Sequence, residues 1–288
     1  MALILQTQFT MKKAIFAFLL LISLPTFAQK IPFQLLPSGH IVVKANVEGK
    51  EGNFIFDTGA GINLFFNDFA KDLKQQSTYN FFTAFRATGE RMEVPLLKSD
   101  ELTFGGKKFR DAPYSTFDMK IDGIHGLISL QMFSDTDVII DFDKKELQLV
   151  PIDPKTAKKA FDIQLSTYAD NSVDIFTYVL LNDKYKIKVM LDSGAGNNSF
   201  WLSDNFITLL GLDKKNLEGI EKKSDFNENV VTKMYKGSIA SVSNEFAKAD
   251  QPKVVFVEGL IYEGKTSINW LGKKIGISLK TKKMYVLD

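Results

Sequence analysis

The sequence predicts a mainly β protein with a few short helices, built as two similar lobes. Three features predict it. Short alternating apolar runs are separated by turns of Gly, Asn, Asp and Lys along almost the whole chain. Stretches with helical spacing are few and short. The order of signals in the first half then returns in the second: "NFIFDTGAG" at 53–61 is echoed by "VMLDSGAG" at 189–196, with Asp57 and Asp192 lying 135 positions apart.

The chain of 288 residues is 45% hydrophobic and 24% charged, an ordinary globular composition, and its length allows one large domain or two smaller ones. Its long apolar run lies at the start, "MKKAIFAFLLLISLPTFAQ" at 11–29. Lys12 and Lys13 supply a positive beginning, 14–23 an apolar centre, and "TFA" a small-residue cleavage site. Together they predict a secretory signal peptide, too short for a comfortable membrane span. A start at Met11 and cleavage after Ala28 are expected, so that residues 1–28 are removed and the protein is periplasmic or secreted, with no membrane attachment afterwards. Loss of the two lysines takes the formal charge from +2 to 0, which favours neither nucleic acid nor an anionic membrane as partner. The absence of Cys excludes disulfides and lipid attachment through a thiol. With two histidines, His40 and His125, and no thiol, neither a metal site nor a Ser-His hydrolase is expected, and no cofactor is called for.

From the N-terminus onward, "HIVVKANVEGKEGNFIFDTGA" at 40–60 predicts two strands around a turn at 48–52. "RMEVPLL" at 91–97, "ELTFGGKKF" at 101–109 and "TDVIIDFDKKELQLV" at 136–150 predict further strands, with "GG" and "DKK" as turns. The helix candidates are "NDFAKDLK" at 67–74, capped by Asn67, and "GLISLQMF" at 126–133. A join at 151–160, "PIDPKTAKKA", has two prolines, several lysines and no strand pattern, and divides the mature chain into lobes 29–150 and 161–288. Beyond it, "NSFWL" matches "NLFF", "SDNFITLL" matches "NDFAKDL", and "GKTSINWL" at 264–271 matches "GLISLQMF". "SLKTKKMYVL" at 278–287 aligns without gaps on "DFDKKELQLV" at 141–150. Lysine pairs at 107–108, 158–159 and 282–283 are solvated turns or linker, and the 25 Phe are core and cleft material.

A single D-[ST]-G triplet says little, because about 0.1 such matches arise by chance in a chain of this length. Two of them, each ending an apolar strand and followed by Ala-Gly at matching places of a repeat, say much more. A strand-end carboxylate on a loop whose glycine admits close backbone approach can meet its counterpart from the other lobe. Two carboxyls in contact cannot both ionise cheaply, so they share a proton and titrate as one unit. One then acts as base toward a water while the other, still protonated, donates to a substrate carbonyl. Water becomes a nucleophile without metal, thiol or histidine, which suits a chain poor in all three.

These loops resemble those of the aspartic proteases, specifically the retropepsin-like branch with D-T-G-A motifs. The resemblance covers approximately residues 41–287 and includes "FDTGAG", "LDSGAG", "DGIHGLISL" and "VIIDFDKKELQL". It implies two pseudo-twofold-related acid-protease-like β-barrel lobes with the active site between them, complete in a monomer. It implies Asp57 and Asp192 as the catalytic pair. Thr58 and Ser193 then lend hydroxyls to hydrogen bonds crossing between the loops, and Gly59 and Gly194 present backbone amides near the carboxylates, followed in each loop by Ala60 and Ala195. "FRATGERME" at 85–93 stands where the family places its flap, with Ala87, Thr88 and Gly89 at the turn. Ile124 and Gly126 in the first lobe and Gly264 in the second support the active loops from beneath. Two departures stand out. His125 occupies a normally apolar place, and Tyr262-Glu263-Gly264 departs further, which predicts a less rigidly held second loop. No tyrosine marks the flap, and His125 is expected to be a structural or surface histidine.

Three functions compete. The first is an exported aspartic endopeptidase, whose partner is a peptide or protein substrate held in extended form by backbone hydrogen bonds and side-chain pockets. The second is a peptide-binding or chaperone-like protein that keeps the bilobal cleft without useful turnover. The third, a glycosidase-like hydrolase, needs carboxyls ~5 Å or more apart in different environments, against the symmetry of these loops. Ala60 and Ala195 stand where pepsin-like relatives carry a hydroxyl that donates to the carboxylate. A lost donor to the charged form raises the apparent pKa values of the pair. The expected pH–rate profile therefore peaks at mildly acidic to neutral pH; a maximum near about pH 2 would contradict it.

Overall fold

The computed structural model describes residues 29–168, 172–224 and 229–288. The expected signal peptide, residues 1–28, lies outside the described residues. The observed fold is mainly β, with two short α-helices among the described residues, Asn67–Ala70 and Phe206–Leu209.

In the first lobe six strands form a closed circuit. Ile41–Val47 pairs with Lys50–Asp57, which runs parallel to Gly126–Ser129; Asn63–Phe66, Lys107–Phe117 and Arg91–Phe104 follow in turn. Arg91–Phe104 returns to the first strand, with Thr103 opposite Asn46 and Leu102 opposite Val47. Closure leaves the backbone groups of these strands paired on both sides. The interior is filled by rings. Phe54, Phe65, Phe69 and Tyr114 are fully buried, with centroids 4.7–5.8 Å apart in tilted and edge-on arrangements.

The second lobe repeats the circuit through Ser172–Leu181, Tyr185–Leu191, Gly264–Thr266, Phe200–Ser203, Lys253–Val257 and Val231–Ser238. Here the returning strand is broken at Ile239 and Ala240, and its continuation, Ser241–Ser243, makes the closing pair with Leu180 and Leu181.

A third sheet takes three strands from each half of the chain: Lys30–Pro32, Glu146–Leu149 and Val138–Asp141, then Lys274–Ser278, Lys283–Val286 and Lys159–Asp162. Its centre is the antiparallel pair in which Val138 faces Ile277 and Ile140 faces Ile275. The pseudo-twofold axis passes between these two strands. Above the sheet one apolar cluster runs from Phe54 and Phe56 to Leu191 and Ile268, so the lobes share a core at their junction.

Several local expectations change. "GLISLQMF" is not one helix: Gly126–Ser129 is a strand inserted between Lys50–Asp57 and Asn63–Phe66, and only Leu130–Phe133 winds, as a 3-10 turn. Sheet hydrogen bonds on both sides override the helical spacing of so short a run. Asn67 is the first helical residue rather than the cap; Phe66 holds the cap position without a side-chain bond. The turn at 48–52 narrows to Glu48 and Gly49, since Val47 already faces Lys50. Residues 91–104 form one strand rather than two. Lys159–Asp162 starts inside the expected join because Lys283–Val286 offers it an edge.

Candidate active site

The two motif loops emerge side by side. Asp57 ends its strand opposite Ser129. Asp192 follows Tyr185–Leu191 and donates its N–H to Thr266 O over 2.8 Å. Between them the hydroxyls cross. Thr58 Oγ1 donates to Leu191 O over 2.8 Å and accepts from Ser193 N–H over 2.9 Å. Ser193 Oγ donates to Phe56 O over 2.7 Å and accepts from Thr58 N–H over 3.0 Å. Both side chains are buried.

Each glycine of the pair lies against the opposite acid. A Cβ on Gly59 would collide with the Asp192 carboxyl, and one on Gly194 with the Asp57 carboxyl, so only hydrogen fits. Gly59 N–H also donates to Asp57 Oδ1 over 2.8 Å. Ala60 O accepts from Ser129 Oγ over 2.6 Å, and Ala195 N–H turns back to Asp192 O over 3.2 Å. The structure thus gathers Asp57, Thr58, Gly59, Asp192, Ser193 and Gly194 at one point, with Ala60 and Ala195 behind them.

The carboxyls are electrostatically unequal. Burial, then the charge of Asp192 and a side-chain hydrogen bond to it, push the Asp57 carboxyl well above the usual range; Gly59 N–H and the Lys265 ammonium pull the other way. Asp192 Oδ1 is buried with no donor among fully ionised neighbours. A proton on Asp57 supplies one, which is how the pair becomes a hydrogen bond. On its other side Asp192 Oδ2 lies 2.8 Å from Lys265 Nζ, and that ammonium sits 4.6 Å from the Trp201 ring centroid. A third carboxyl, Asp174 on Ser172–Leu181, is pushed up to about 6 by burial and then by Asp192. Tyr262 is raised to about 12 by burial, then by the charges of Asp174 and Asp192, and its ring meets Phe176 edge-on at 5.3 Å.

Lys265, Asp174 and Trp201 were not among the residues the sequence singled out. For Lys265 a signal existed: the alignment of "GKTS" on "GLIS" sets a lysine against buried-strand Leu127. His40, also unassigned, bonds through Nε2 to Gly194 O at 2.9 Å and through Nδ1 to Ser38 Oγ at 2.8 Å, bracing the second loop from the first lobe. His125 has a structural place: its Nδ1 accepts from Asn53 N–H over 2.9 Å and its ring packs on Phe54 and Phe69.

Beneath the loops, Gly126 and Gly264 pair with Phe54 and Val189 in matching parallel registers. Ile124 sits in a turn, its N–H donating to Ile121 O over 3.0 Å. The departures in the second lobe make polar contacts of their own. Glu263 Oε2 accepts from Lys188 N–H over 2.6 Å, Glu263 O from Ser203 N–H over 3.0 Å, and Trp270 Nε1 donates to Thr266 Oγ1 over 2.7 Å. The first loop is held by the same two bonds, His125 Nδ1 accepting from Asn53 N–H and His125 O from Phe66 N–H, each over 2.9 Å.

A cleft of about 480 Å³ opens over the two carboxyls, walled by both lobes. Its roof includes the turn of the hairpin Gln76–Phe85/Arg91–Phe104, where Gly89 adopts φ +85°. Ala87, Thr88 and Gly89 reach the second lobe: Ala87 O accepts from Ile261 N–H over 3.1 Å. A second hairpin, Glu218–Lys223 with Val231–Ser238, approaches from the opposite side. The two touch where Ser224 Oγ donates to Glu90 Oε2 over 2.6 Å and Arg86 donates to Ser224 Oγ over 3.0 Å.

A closed barrel in each half and a shared six-stranded sheet define a bilobal acid-protease-like fold, with a pair of carboxyls at the lobe junction. Residues 43–131 match the family model described as aspartyl protease, the family whose motifs the two loops resemble. Among solved structures, one described as edgp superposes with a TM-score of 0.52 at 8% identity, covering 89% of this chain and 94% of that one. A retropepsin-like aspartic protease from Rickettsia conorii aligns at 20% identity over 42% of this chain and 89% of its own, with a TM-score of 0.32. No curated protein matches the sequence.

Two outcomes follow from the site. Thr58→Val keeps the shape but removes a donor to Leu191 O and the acceptor of Ser193 N–H, both buried. Urea unfolding should register a loss of about 2–5 kcal/mol, with Thr58→Ser nearly unaffected. For Asp174 the folded carboxyl holds its proton to about pH 6, while the unfolded one releases it near about pH 4. The folded state binds more protons across that interval, so stability falls as pH rises through it. Asp174→Asn should then gain up to about 3 kcal/mol at about pH 7.5 and nothing at about pH 3.5, measured by the same unfolding curves.

Proposed function

We propose that this chain is an exported aspartic endopeptidase that hydrolyses extended peptides as a single chain. The observation that carries this is the contact between Asp57 and Asp192 at the floor of a cleft roofed by hairpins. A pair with one proton has both parts of the chemistry. Asp192, ionised, takes a proton from a water lying against the dyad. The water oxygen bonds to the scissile carbonyl carbon as Asp57 passes its proton to the carbonyl oxygen, giving a neutral gem-diol. When the C–N bond breaks, Asp192 returns its proton to the leaving nitrogen and a gem-diol hydroxyl reprotonates Asp57. The site ends as it began.

A peptide substrate fits the cleft walls, where Phe82, Ala84, Met92 and Val94 from one hairpin face Met190 and Met234 from the other lobe. Backbone amides of the hairpin turn supply partners for an extended chain. The alternative, a binding protein without turnover, is favoured by one observation: the Lys265 ammonium occupies Asp192 Oδ2, an oxygen the attacking water would use.

Digestion of a peptide library by wild type and Asp57→Asn separates them. Wild type should cleave, the variant should lose about 10²–10⁴-fold in kcat/KM, and a statine-type hydroxyl mimic should inhibit. Equal cleavage by both would sink the dyad; cleavage by neither, with peptide still bound, would leave the binding protein.

A further inference from the structure

The duplication sets unlike side chains against the two carboxyls. In the first lobe Ile55 pairs with Leu127; at the matching register of the second, Met190 pairs with Lys265. A strand position that is apolar in one lobe carries a cation in the other. Its side chain is only 14% exposed, between the Asp192 carboxylate at 2.8 Å and the face of Trp201 at 4.6 Å. An ammonium is buried at a large cost unless paired, and here the pair is one acid of the dyad. The other titratable groups around Asp192 are Asp57 from Lys50–Asp57, Asp174 from Ser172–Leu181, Tyr262 from the loop before Gly264, and His40 behind Gly194. Among the described residues, Lys265 alone forms an ion pair with it.

The geometry also bears on the missing hydroxyl donors. Ala195 cannot donate to Asp192, but the Lys265 ammonium on the neighbouring strand lies 2.8 Å from its Oδ2 as an ion-pair partner. Ala60 likewise cannot donate to Asp57, and Leu127 offers nothing in its place. Asp192 has a cation beside it in that place, while Asp57 keeps only the Gly59 amide.

We propose, on the peptidase reading above, that Lys265 is a positioning residue that breaks the symmetry of the dyad, holding Asp192 ionised as the base and leaving the single proton on Asp57. The singly protonated pair then persists to lower pH than two alanine-flanked acids would allow. Raised proton affinity at Asp57 agrees with this division.

The test uses the mature full-length chain with ¹³Cγ-labelled aspartate, following the dyad by NMR across pH alongside the pH dependence of kcat/KM. Lys265→Leu copies the first lobe, Lys265→Met guards against a failure of that variant to fold, and Lys265→Arg keeps the charge. In the Leu or Met variant the lower titration step and the acidic limb should both rise by about 1–3 pH units, while the Arg variant stays close to wild type. An unmoved lower step, or an Arg variant displaced as far as Leu, overturns the inference. So does a Leu variant many-fold more active at every pH, which would make Lys265 a block. A lower step that moves in a protein with no peptidase activity would remove the peptidase reading while leaving the hold of Lys265 on Asp192 in place. Cleavage with an unmoved step would do the reverse.

Discussion

Two negative carboxyls pressed together would drive the lobes apart, and the four crossing hydrogen bonds of Thr58 and Ser193 are what keep them in register. Each hydroxyl donates to the carbonyl just before the opposite acid and accepts from the opposite loop's amide. Because these six groups are shielded from water, any one broken bond leaves a buried polar atom without a partner, so the set behaves as a unit. The acids inherit their separation from that lattice. Small residues above and below complete it, since Gly59 and Gly194 leave room for nothing but the facing carboxyl. The remaining repulsion is relieved by one proton, which on the proposed peptidase reading is also the reagent.

Such a lattice requires the lobes to meet the same way every time. The six-stranded sheet provides this, because three strands from each half join edge to edge in one hydrogen-bonded layer, and the apolar cluster above it belongs to both barrels. A hinge there would cost buried surface from both cores. Over the acids the hairpins meet through Glu90, Arg86 and Ser224 and through Ala87, which packs on the apolar cluster of Met234, Val257 and Leu260.

What was legible in the sequence is what the duplication recorded twice. Asp57 and Asp192, their hydroxyl neighbours and their glycines appear as the same five-residue word in two places, and the closing strand pairs align residue on residue. Gly126–Ser129 was misread because a four-residue strand with sheet on both sides needs no alternation; its identity comes from neighbours more than 60 positions away. His40 was invisible as a brace for the same reason, since its partner Gly194 lies 154 positions off. The Tyr262-Glu263 departure suggested a loose loop, but spacing alone could not show Glu263 reaching the Lys188 amide. Lys265 was half legible. The repeat alignment exposes it as a charge in an apolar register, and only burial beside Asp192 gives the charge a meaning.

The places where the two halves differ follow a pattern. Strand registers make Val42 the counterpart of Phe176 and Ile55 the counterpart of Met190, so His40 matches Asp174 just as Leu127 matches Lys265. At both places a titratable or charged group stands where its twin has different chemistry, and both lie within one contact of the motif loops. His40 braces Gly194, while Asp174 lies beside Gly61 of the opposite loop. The backbone lattice stays symmetric; the electrostatics do not. A symmetric dyad has two equal places for its proton and gains nothing by choosing between them. A single-chain protein can alter each half independently, which a pair of identical subunits cannot, and here the alterations fall on the groups that set where the proton rests. On the proposed reading, acid and base roles are then set from the second repeat, by Lys265, acting on loops whose form both repeats share.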